Sequence, residues 1–91
     1  MALERLPGGA LIEQGLADLA SGRESLPALL VAIGAPRLRR LGLDVPSVSV
    51  PDPEHRLYLE LSRSDPDSAH SRYNALIRTL VSFEHAAECA S

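Results

Sequence analysis

Apolar residues recur at helical intervals along most of the chain and lose that interval in one stretch only. Leu11, Ile12, Leu16, Leu19 and Ala20 share one helical face and Gly22 follows as a stop, which predicts a first helix over about residues 10–21. Gly15 lies inside it and weakens it, because glycine costs about 1 kcal/mol relative to alanine in a helix interior. Leu26, Leu29, Leu30 and Ile33 then follow the i, i+3, i+4, i+7 pattern, with Ser25 as N-cap and Pro27 tolerated in the first turn. Pro36 cannot donate to the preceding turn, so this second helix is expected to fade by residues 34–35. A short helical turn over residues 36–42 follows, with Leu38 and Leu41 inward and Gly42 as its cap.

Residues 43–53, LDVPSVSVPDP, hold three prolines and no helical period. They read as an extended connector whose valines, Val45, Val48 and Val50, lie on the core. Asp52-Pro53-Glu54 then starts a third helix by an Asp cap, a proline at the first helical position and an acid near the positive helix end. Leu57, Tyr58 and Leu61 form its apolar stripe. Asp65-Pro66-Asp67 repeats the same capping chemistry, ending helix three and starting helix four.

Helix four, about residues 66–90, carries Ala69, Tyr73, Leu76, Leu80, Phe83 and Ala87 at intervals of 4, 3, 4, 3, 4, a coiled-coil-like seam. At 1.5 Å per residue it would reach about 37 Å, roughly twice any other helix, and self-association through seam left uncovered is the economical expectation. The fold class that follows is all-α: a small four-helix, bundle-like domain over residues 1–91, with three short helices packed on one long C-terminal helix.

Composition sharpens this reading. Apolar residues make up 45% of the chain but only Tyr58, Tyr73 and Phe83 are aromatic, so the core is built from aliphatic side chains. A chain of this size buries roughly 60–65% of its unfolded surface, enough for one core without staples. Cys89 is the single cysteine and cannot form an internal disulfide, which makes the cytoplasm the default compartment. The N-terminus lacks the pattern of an export signal, and the longest uncharged run, residues 25–36, is twelve residues against the ~20 that span a bilayer. No membrane association is expected.

Charge then raises the first candidate site. The net charge is −3, all cationic side chains apart from the histidines are arginines, and the balance is uneven: −2 over residues 1–24, +3 over 25–43, −4 over 44–70 and 0 over 71–91. Arg37, Arg39 and Arg40 supply the whole +3. They read first as solvated charge favouring a helical C-terminus, next as a contact for an acidic protein surface, and last as a phosphate grip. A helix-turn-helix with its turn at Gly34 fits poorly, because its second helix would stop at Gly42.

Two further constellations lie on helix four. His85, Glu88 and Cys89 stand at i, i+3 and i+4, a spacing that can offer transition-metal ligands, yet no fourth ligand is brought near and the last turn frays. His70, Asn74 and Arg78 are successive i+4 neighbours, with Asp67 placed to orient His70. No nucleophile with its base, glycine-rich phosphate loop or metal motif completes a catalytic set. The resulting reading is a non-enzymatic protein–protein interaction module. It needs no cofactor or metal and forms a homodimer through helix four, with Tyr73, Leu76, Leu80, Phe83 and the three arginines as its partner-binding residues. A nucleic-acid-binding regulator using Arg37, Arg39 and Arg40 is the alternative, and a metal site at His85, Glu88 and Cys89 the second alternative.

Overall fold

Four helices make up most of residues 3–47 and 50–90, the part of the chain that the computed structural model describes: α1 Gly9–Ala20, α2 Leu26–Arg40, α3 Pro53–Ser64 and α4 Ala69–Ala90, preceded by a 3₁₀ turn at Leu3–Arg5. The first two helices end by the same device. Gly22 (φ 77°) and Gly42 (φ 97°) occupy the left-handed region that glycine enters without a Cβ clash. The Gly22 N–H donates to Leu19 O at 3.1 Å and the Arg23 N–H to Asp18 O at 2.8 Å; Gly42 and Leu43 repeat the pair on Arg39 O at 3.0 Å and Leu38 O at 3.1 Å. Each is a Schellman motif, which satisfies carbonyls the helix itself leaves open. At the other end of α2 the Ala28 N–H donates to Ser25 Oγ at 3.2 Å, and Pro27 sits in the first turn, where its missing N–H has no intrahelical acceptor to lose.

Past its first turns α2 departs from expectation. It runs without a break through Gly34, Ala35 and Pro36 to Arg40, so the end at residues 34–35 and the separate turn over 36–42 give way to one helix of 15 residues. Packing explains why: Gly34, Ala35 and Leu38 are buried, and a Cβ on Gly34 would stand 2.9 Å from Leu80 Cδ1 on α4. The glycine is a point of close helix approach, and the exposed Pro36 forfeits only the bond to the Ala32 carbonyl.

The two Asp-Pro pairs also part company. Asp52 is the N-cap residue of α3 and Pro53 follows at its start, but Asp52 has φ 49° and makes no side-chain capping bond. Asp65 instead terminates α3, its N–H donating to Leu61 O at 3.0 Å; residues 66–68 form a turn, and α4 begins at Ala69 with the Arg72 N–H on Ser68 O at 2.9 Å. At 22 residues, about 33 Å, α4 is the longest helix but not twice the length of α2.

One core gathers side chains from every helix, among them Ile12, Leu30, Leu38, Leu57, Leu61 and Phe83, all at 0% exposure. Helix α2 meets each of the other three helices, and α4 packs on α2 and α3. In the connector Val45 is buried and Val50 half-buried against the core, as its valines suggested, while Val48 lies outside the described residues. Among the described residues no helix is long and apolar enough to cross a membrane.

Candidate functional site

The continuous α2 carries the arginines to the C-terminal half of α4. Arg37 Nη2 lies 2.8 Å from Glu88 Oε2 in a pair open to solvent on both sides. Arg39 Nη2 donates to Pro46 O at 3.0 Å and so holds the connector, and Arg40 stands exposed in an open cleft lined by Arg37, Leu41 and Glu88 as well. The acid that pairs with Arg37 therefore belongs to α4 of the same chain, not to the −4 segment. One turn before Glu88, Glu84 is only 5% exposed and reaches over Gly34. Burial pushes its carboxyl above the ordinary glutamate range, against the opposing pull of Arg37 and His85. With α2 helical across Gly34, the turn that a helix-turn-helix alignment required is absent.

The histidine constellations resolve differently. His85 and Cys89 are exposed and Glu88 turns to Arg37; among the described residues no three His, Cys, Asp or Glu side chains stand close enough together to hold a metal. His70 Nε2 lies 3.2 Å from Asn74 Nδ2, an ordinary one-turn contact on an exposed helix face, and Asp67 is left behind in the turn before α4. Arg78 is exposed one turn further on.

Along the seam of α4, this chain's own helices take most of the apolar surface. Ala69, Leu80, Phe83 and Ala87 are buried in the core, so Leu80 and Phe83, expected to face a second copy, are spent within the fold. Tyr73 and Leu76 stay half-buried. Tyr73 meets Tyr58 of α3 edge-on, with ring centroids 6.0 Å apart and planes at 67°. Leu76 borders a groove opposite, between α4 and the α1–α2 pair.

Three features escaped the sequence pattern. Among the described residues, Tyr58, Leu59 and Val81 are the large apolar residues left exposed, at 38%, 44% and 43%. Periodicity placed Tyr58 inside and offered no role for the other two. Glu84 is a buried charge whose only signal was its position beside the seam, one residue after Phe83 and three before Ala87. Asp18 is the third: it accepts from Ser25 Oγ at 2.6 Å and Gln14 Nε2 at 2.9 Å, tying the end of α1 to the cap of α2. Those two bonds, Ser25 first, with Arg23 adding charge, hold its carboxyl below the usual range against the cost of burial. Compared with known proteins, the chain matches no family model, no curated protein and no solved structure.

Proposed function

We propose that this chain is a non-enzymatic helical interaction module that pairs with a second copy of itself through the outer face of α3 and α4. The observation behind the reading is the exposure of Tyr58, Leu59 and Val81 on the two helices whose inward faces already fill the core. Single exposed apolar side chains are common on monomers, but here Tyr58 and Val81 are linked through apolar residues of α4. Tyr73, Ile77 and Val81 follow at i+4 along α4, and Tyr58 packs on the first of them, which makes a continuous apolar strip. A two-fold pairing sets that strip against its own copy, the commonest closed arrangement for a homo-oligomer. The free thiol of Cys89 is compatible with a reducing cytoplasm as the working compartment.

Light scattering behind a sizing column, across a hundredfold range of concentration, tests the reading. The unaltered chain is expected at twice its monomer mass, and Tyr58→Glu with Val81→Glu at monomer mass with unchanged helical circular dichroism. A wild-type monomer at every concentration, or a dimer indifferent to both substitutions, rejects it.

A further inference from the structure

A second apolar surface lies on the other side of α4. Leu11 of α1, Leu26 and Pro27 at the start of α2, and Ala75 and Leu76 of α4 line a groove whose wall is almost wholly apolar, with Arg72 at its edge. It shares Ala75 with a neighbouring depression that continues past Arg78 toward Pro7. Together they follow α4 over about two to three turns, the reach of a short docked helix.

Charge distinguishes this strip from the rest of the molecule. The chain has net charge −3, yet no carboxylate lines either depression, and two arginines do. Neither Arg72 nor Arg78 belongs to an ion pair among the described residues, whereas Arg37, Arg56 and Arg63 are matched to Glu88, Glu24 and Glu60. Among the described residues there is also no strand, so no sheet edge is offered to an extended peptide. An apolar floor between helices with a cationic margin suits the mode in which an amphipathic helix lays its apolar edge into a groove.

We propose that this groove docks an amphipathic helix of another protein, with leucine-class side chains against Leu11, Pro27 and Leu76 and carboxylates on its flank paired with Arg72 and Arg78. The inference shares with the self-association reading only the premise that the chain acts by binding, and it uses the opposite side of α4.

The test uses the full chain and a fluorescein-labelled, end-capped peptide of leucine, alanine and glutamate, about three to four helical turns long, with leucines at i, i+3 and i+7. Its counterpart carries lysine at each glutamate. Fluorescence anisotropy is expected to show saturable binding of the acidic peptide, weakening as salt is raised, and none of the lysine peptide. Arg72→Glu with Arg78→Glu, both at exposed positions and so neutral for folding, is expected to weaken the acidic peptide by about tenfold or more and to admit the lysine peptide. Leu76→Glu should abolish binding of the acidic peptide, with circular dichroism as its folding control. The proposal is overturned by no saturable binding of the acidic peptide, by equal binding of the two peptides, or by binding lost with Tyr58→Glu and Val81→Glu but kept in the arginine variants. A dimer seen by light scattering that Arg72→Glu with Arg78→Glu dissociates also overturns it, since the occupant is then a second copy. The self-association reading stands or falls separately, on the variants at Tyr58 and Val81.

Discussion

Glu84 is a carboxylate in a position built for a hydrocarbon. It lies between Phe83 and the Arg37–Glu88 pair, over the glycine that lets α4 approach α2. Its raised pKa means that the folded chain holds the proton more tightly than the unfolded chain does. The favourable contribution is therefore complete below the unfolded value of 4.5 and lost as pH rises through the folded value. Glu84→Gln is accordingly expected to be more stable than the parent at pH 7, with the margin closing below pH 4.5. Urea midpoints across that range check it, and a margin independent of pH would count against burial as the cause. Gly15 makes the opposite point about a small residue. Helix propensity alone favours Gly15→Ala by about 1 kcal/mol. The backbone of Pro27 and the Val31 side chain, however, occupy the space a Cβ would enter, 2.5 Å from Val31 Cγ2 and 2.8 Å from the Pro27 carbonyl carbon. Gly15→Ala is therefore expected to destabilise by about 1–3 kcal/mol, the usual cost of overpacking, read by thermal melting.

Helices α1 and α2 form a hairpin clasped at its turn. Ser25 both caps α2 and donates to Asp18, and the Asp18 carbonyl accepts from Arg23 in the Schellman closure of α1. Ser25→Ala removes both bonds of the hydroxyl and is expected to cost about 1 kcal/mol, up to 2. Because Asp18 has a depressed pKa, its contribution is present above the unfolded value of 3.8 and is lost as pH falls through the folded value. The Ser25→Ala difference should thus shrink in strong acid, which a denaturation series at pH 2 and pH 7 would detect. Within α2, Pro36 is a helix interior residue with an exposed ring, so Pro36→Ala restores a donor for Ala32 at no loss of packing. An increase of about 1 kcal/mol or more is expected. Were Pro36 the first residue of a separate helix, the same change would bring no gain. Both capping glycines and the Ser25 cap were readable from the chain, because their chemistry is satisfied within a few residues. The start of α3 at Asp52-Pro53 and its end at Asp65 were readable as well, but the start of α4 was not, because the same Asp-Pro pair can start a helix or follow one, and only the path of the chain between α3 and α4 decides which.

In the assembled molecule the apolar seam of α4 is closed by the chain's own helices at Leu80, Phe83 and Ala87 and left part-open at Tyr73 and Leu76. Phe83→Ala is expected to cost about 3–5 kcal/mol, a large fraction of what holds a domain of this size, and to register as loss of the cooperative thermal transition. Tyr58→Glu with Val81→Glu should leave that transition nearly unchanged while altering mass in solution. Periodicity marks a seam as buried but not by whom, since a second copy and a neighbouring helix cover it equally well. The arginines show the same division: a count of charge along the chain exposed the +3 segment, yet Glu88 is 51 residues from Arg37 and was paired with it only by the crossing of α2 and α4. The buried Glu84 and the acid-free groove past Arg72 are likewise products of that crossing. What the sequence determined by itself is the all-helical class, the connector, the end of α1, the Ser25 start of α2 and the glycine stop at Gly42, because periodicity, proline and glycine act over a turn or two of chain. The continuity of α2 through Gly34 and Pro36, the pairing of its arginines and the choice of exposed faces were decided by tertiary structure alone, because each depends on which distant helix fills the space beside it.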